Sequence, residues 1–259
     1  MILRAPNLFL FTFQVMAHIG LIYQLTNGSY TMWAITCIVY FITGCLGMTM
    51  TFHRLLSHKS YTSPKWFYYL GTLCGFYGLT GSPLAWVAVH REHHRHTDKE
   101  ADPHSPLHKS FIRIQWLSMF EQAKVRYVPD MTKDKFQVFL HKNYFYIHAM
   151  IAVLLLVIDP MLLVCMYLAP AAILWNAGSF INTLSHKFGY RNHDTKDNSK
   201  NSFLLGVFVW GEGWHNNHHA APASYSFQEQ FWEIDIGGWL IKQLDPSVTI
   251  PSKEKINEL

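Results

Sequence analysis

Four histidines occupy seven positions in HREHHRH, residues 90–96, and the same HxxHH spacing returns as HNNHH at 215–219. Imidazole is the commonest side-chain metal ligand and suits iron, zinc and copper alike. On an α-helix, positions i, i+3 and i+4 share one face. Each HxxHH therefore presents three imidazoles together, able to converge on a metal. Of the sixteen histidines, nine fall into patterned groups: His53 and His58 in HRLLSH; His90, His93 and His94; His186 in NTLSH; and His215, His218 and His219. Nine donors exceed the three or four that one tetrahedral zinc uses; they fit two metals with four or five imidazoles each. His53 and His58 are five apart, about 140° around a regular helix at 3.6 residues per turn. Unless that helix ends or bends, they suit two metals better than one.

Other titratable residues fit this chemistry less well. Glu92, Asp98, Asp102 and Glu212 do not repeat at ligand spacing, unlike the Glu-x-x-His pairs of soluble di-iron bundles. Glu92 points away from its neighbouring histidines on a helix, as an outer hydrogen-bond acceptor or a surface charge. His18, His108, His141, His148 and His193 read as ordinary surface or core histidines, and His96 and His104 as partners of ligands or surface groups.

The elements that must position these imidazoles are mostly apolar. The chain has 259 residues, half of them hydrophobic and only 15% charged, against about 25% in soluble domains. An integral membrane protein is expected. A net charge of +4 without a basic, aromatic-interleaved stripe excludes a nucleic-acid partner. Cys37, Cys45, Cys74 and Cys165 form no CxxC pair and read as small buried hydrophobes.

Apolar runs at 8–25, 32–50, 144–158 and 161–181 approach the roughly 20 residues of a spanning helix. They pair as two hairpins through TNGSY and through Asp159–Pro160. The aromatic, glycine-interrupted stretch from Trp66 to Val89 reads as interfacial or re-entrant. Of the 21 lysines and arginines, thirteen lie between Arg54 and Lys142, seven between Lys187 and Lys255, and the last is Arg4. Neither hairpin turn carries any. By the positive-inside rule, both termini, the long middle loop and every patterned histidine fall on the cytoplasmic side. Arg4 before the first apolar run, with no cleavage-site pattern, suggests a retained anchor. The last ten or so residues read as a solvated tail ending in NEL, which is no retrieval signal. The expected architecture is all-α, with one membrane-embedded domain over residues 1–259. Four transmembrane helices carry a helical cytosolic cap, residues 51–143 and 182–245, that holds the dimetal site.

The segments HRLLSH, HREHHRHTDKEADPHSP, NTLSHKFGYR and GEGWHNNHH resemble the histidine boxes of the membrane fatty acid desaturases. The likeness is best to the Δ9 group, which includes stearoyl-CoA desaturase and the bacterial and cyanobacterial acyl desaturases, and runs from about Thr49 to Leu244. The resemblance implies a di-iron centre, two Fe2+ ions held by the nine histidines, with Asn182 contacting one metal through water. It implies that dioxygen and two electrons insert a cis double bond into a saturated acyl chain. The chain begins almost at its first span, so acyl-CoA, acyl-lipid and acyl-carrier-protein substrates all remain open. No HPGG motif is present, so electrons are expected from a separate ferredoxin or cytochrome b5-like donor. An apolar tunnel under the cap, walled in part by the Trp66–Trp86 stretch, would fix one carbon pair beside the metals. Two other readings compete: a lipid or alkyl hydroxylase with the same site, and a histidine-rich metal transporter. The first box argues against the hydroxylase, because HxxxxH fits desaturases better than HxxxH. The spans argue against the transporter, because they offer only His18 and His148 and no acidic partner.

Overall fold

The computed structural model describes Leu3 and residues 7–249. The expectations for Arg4 and for the C-terminal tail lie outside the described residues. Among the described residues, eleven helices follow one another: α1 Asn7–Asn27, α2 Tyr30–Ser57, α3 Lys65–Tyr77, α4 Pro83–His96, α5 Phe111–Leu117, α6 Lys135–Lys142, α7 Tyr144–Ile158, α8 Pro160–Leu184, α9 Phe203–Phe208, α10 His215–Ala220 and α11 Ile236–Leu244. Short 3₁₀ turns link α5 to α6. Among the described residues there is no β-strand, only isolated bridges joining Tyr190, Asn201 and Trp214.

Both expected hairpin turns are present, and their side chains explain them. Ser29 caps α2 by accepting from the Met32 amide. Asp159 caps α8 the same way at Met161, with Pro160 in the first turn, where a missing N–H costs nothing. Helices α1, α2 and α8 are long and apolar enough to cross a bilayer. The third expected span is less regular. At 15 residues, α7 is short by itself, and it makes a fourth crossing only when joined to α6 across a 64° bend. The Trp66–Val89 stretch divides into α3 and α4, 13 and 14 residues long, each too short to span.

Helix α2 departs from regular winding. From Ile42 to Ser57 it is π-helical, with i→i+5 bonding continuing at its end, where the His58 amide donates to the His53 carbonyl at 3.1 Å. Such winding is rare and frequently sits at functional sites. Glycines let α3 press against this segment: a Cβ at Gly47 would lie 2.3 Å from the Gly75 nitrogen. The cores follow this arrangement. One joins α1, α7 and α8 through Phe13, Ala17, Tyr144 and Ala172; another joins α2 to α4 through Phe52, Leu84 and Val87. Of the cysteines, Cys45 and Cys165 are buried, but Cys37 is exposed on α2, since that helix turns one whole face outward to lipid.

Candidate metal centre

Nine imidazoles from four stretches of chain meet at the ends of α2, α4, α8 and α10. They form two groups. His53, His58, His90, His94 and His218 make one, and His93, His186, His215 and His219 the other. Within each group, one nitrogen per residue lies within 4.8 Å of all the others. Inside the first, the Nε2–Nε2 separations are 2.8 Å for His58–His90, 2.9 Å for His94–His218 and 3.1 Å for His53–His218. In the second, His186 and His215 stand 3.1 Å apart through Nε2. The Nε2 atoms of His93 and His219 are buried without any hydrogen-bond partner. Burial strips an unpaired polar atom of its water, so nitrogens left bare and converging suit a cation. The donors are all imidazole, a set that fits iron as well as zinc or copper.

Two expectations are corrected here. His53 and His58 belong to the same group, because π winding returns residues five apart to nearly one face. Each HxxHH, by contrast, does not aim three rings at one point. His90 and His94 join the first group while His93 joins the second; His215 and His219 join the second while His218 joins the first. Adjacent residues on a helix stand about 100° apart, so the middle ring diverges from its neighbour. Asn182, on α8, lines the adjoining cavity together with His53, His90 and His215.

Carboxylates hold the other ring nitrogen of four of these histidines. Glu212 meets Nδ1 of His53 at 2.5 Å, Asp102 that of His93 at 2.8 Å, Asp98 that of His186 at 3.1 Å and Asp197 that of His219 at 2.9 Å. A carboxylate at Nδ1 fixes the proton there and leaves Nε2 as the donor. Spacing along the chain hid these partners, and Asp197 gave no signal at all. Glu92 is not a surface charge: it is buried and ion-paired with Lys124. Trp86 stacks on His90 at 4.9 Å. The asparagines of HNNHH clamp the six-residue α10. Asn217 accepts from Asn192 and Asn201 and donates to the Phe227 carbonyl, and Asn216 accepts from the Asn192 and His193 amides.

The electrostatics keep six of these rings neutral. Burial, reinforced by neighbouring imidazoles, pushes His58, His90, His94, His215 and His218 well below the ordinary histidine range. Burial takes His219 down to about 4, although Asp197 pulls the other way. Burial would raise Asp197 itself, but its bonds to His219 and Ser199 hold it far below the usual carboxylate range. Neutral imidazole is the metal-binding form.

The sign of the pH dependence follows. His219 titrates near 4 when folded and near 6.5 when unfolded, so the unfolded chain binds more protons between those values. The stabilisation is complete above 6.5 and is lost as pH falls toward 4. Metal-free protein in detergent is expected to show a falling Tm over that window, measured by scanning calorimetry. Replacing Asp197 with asparagine is expected to lower metal affinity or activity by roughly 10–100-fold, read as metal retained after dialysis and as turnover.

An apolar cavity runs away from the two groups. His53, His90, His215 and Asn182 border it together with Met48, Ala85, Trp86, Leu174 and Ile181. It is the kind of space that receives a hydrocarbon chain.

Comparison with known proteins agrees with this geometry. Residues 31–230 match the family model described as fatty acid desaturase. The chain is 36% identical over 236 residues to an sn-1 stearoyl-lipid 9-desaturase of Anabaena variabilis, covering 88% of this chain and 86% of that protein. It is 35% identical over 214 residues to an sn-1 stearoyl-lipid 9-desaturase of Synechocystis sp., covering 80% of this chain and 67% of that protein. An sn-2 palmitoyl-lipid 9-desaturase of Nostoc sp. is 35% identical over 217 residues, with 80% and 75% covered. With its span-length apolar helices and its converging histidines, the chain belongs to the fatty acid desaturases, membrane oxidoreductases of lipid metabolism.

Proposed function

We propose that this protein inserts a cis double bond at the Δ9 position of a saturated acyl chain carried on a membrane lipid, using dioxygen and two iron ions. The observation that carries the reading is the pair of histidine groups bordering an apolar cavity. The cyanobacterial relatives' names supply the lipid-bound acyl chain and the Δ9 position. The nine histidines His53, His58, His90, His93, His94, His186, His215, His218 and His219 would hold the iron, with Asn182 reaching one ion through water. When bound, iron supplies the oxidation, in which the substrate loses two hydrogens and dioxygen takes them, two electrons and two protons to leave as two waters.

The chain's own residues do the rest. Glu212, Asp102, Asp98 and Asp197 keep a proton on Nδ1 of their histidines and so present Nε2. Met48, Trp86, Leu174 and Ile181 exclude water and hold the methylenes in line, since orientation selects the carbon pair that reacts. The basic distribution along the chain supports a cytoplasmic site and cytoplasmic termini over four spans in a single domain, counting α6 and α7 as one broken crossing. A separate ferredoxin or cytochrome b5-like protein would deliver the electrons.

The test is expression in a host lacking its own desaturase, with mass analysis of total lipid. The expected product is lighter by two hydrogens, with its double bond between carbons 9 and 10. A product heavier by one oxygen would replace desaturation with hydroxylation.

A further inference from the structure

An acyl chain still esterified to a bilayer lipid needs a way from the membrane to the histidines, and the cavity has one end suited to it. Asn7 and Leu10 of α1 border that end together with Met119 and Glu121, just past α5. On the other side of the same seam lies an apolar groove formed by Phe11, Val15, Ile19 and Ile22 of α1 with Trp116 and Met119. Met119 borders both spaces and is itself buried. The seam is closed by two aromatic contacts, Phe11 with Phe120 at 6.0 Å and His18 with Trp116 at 4.5 Å.

The groove faces hydrocarbon, because α1 is long and apolar enough to span and exposes Val15, Ile19 and Ile22 on that side. Beside it, Ile112, Trp116 and Phe120 are exposed, an aromatic and aliphatic set typical of the head-group boundary. Charge gathers at the lip. Glu121, which borders the cavity, accepts from Lys109 at 2.7 Å and from Arg113 at 3.1 Å. An unbranched thioether has three rotatable bonds, so Met119 can swing aside where a branched or aromatic side chain could not.

We infer that the seam between α1 and the α5–Ala123 segment is the lipid entrance, and that Met119 is its gate. An acyl chain of a bilayer glycerolipid occupies the outer groove, passes Met119 and enters the cavity, while its head group stays at the Lys109–Glu121–Arg113 lip. The inference rests on the desaturase reading for its substrate, but its test does not depend on turnover.

Iron-loaded protein is reconstituted in vesicles of stearoyl-oleoyl phosphatidylglycerol containing a trace of the same lipid with a diazirine in the stearoyl chain. Photolysis is expected to label α4 at Ala85–Val89 in the wild type, in competition with unlabelled lipid. Met119→Trp should lose that labelling while retaining its iron, and Met119→Ala should keep it. Leu10→Trp, on the opposite side of the mouth, repeats the block if Met119→Trp fails to hold iron. With reduced ferredoxin present, vesicle lipid should gain double bonds in the wild type and not in the tryptophan variants. Undiminished labelling of α4 in both tryptophan variants, or its absence in the wild type, overturns the entrance. Labelling without any double bond in vesicle lipid or in added stearoyl-CoA keeps the entrance and removes the reaction instead.

Discussion

Alanine at His94 is expected to abolish double-bond formation, a loss beyond the roughly 10–100-fold that follows when only a ligand's hydrogen-bond partner is removed. Its Nε2 lies 2.9 Å from that of His218, in the group of five. Removing it takes away one donor and leaves a gap beside His218, whose Nε2 keeps His53 at 3.1 Å. The ring contributes little else, so membrane insertion should be preserved. The measurement pairs iron per chain with double bonds formed in the same preparation. His108→Ala is the control: its ring is exposed and only touches the Asp98 carbonyl, and its loss should be nearly silent. Equal tolerance of both substitutions would remove the site assignment.

Arg54→Leu is expected to destabilise the protein by about 3–5 kcal/mol, the usual result of leaving buried charge without its partner. The guanidinium is fully buried. It donates to Glu212 at 3.1 Å, to Asp235 at 2.9 Å and to the Tyr225 carbonyl at 2.8 Å, and its plane lies 4.0 Å from the Phe227 ring. Without it, two buried carboxylates lose the cation they share. One of them, Glu212, also holds His53 at 2.5 Å, so iron content should fall together with Tm. Lysine at this position carries the charge but not the planar fork, and should recover only part of the loss. Thermal unfolding in detergent beside iron analysis checks both statements.

The histidines could be read from sequence because metal ligation needs particular side chains at particular separations, and HxxHH is such a separation. The hairpins were legible for a related reason: TNGSY and Asp159–Pro160 carry their own caps. What stayed hidden depends on backbone winding or on distant packing. No local sequence signal marks the π-helical stretch of α2 that gathers His53 and His58, a stretch that packs against α3 and α4. The carboxylates come from three stretches of chain, with Asp98 and Asp102 sharing one, and Asp197 reaches His219 from 22 positions away. Arg54 looks like one more basic residue after a span until α11 and the Tyr225–Phe227 turn close over it. The 64° bend between α6 and α7 was likewise invisible in a run of apolar residues.

The divided loyalty of the two HxxHH helices has a mechanical result. In α4 and in α10, one turn of backbone carries rings to both groups, so neither group can shift without tilting the rings of the other. The pair would behave as a yoked couple, each sensing through rigid peptide what befalls its companion.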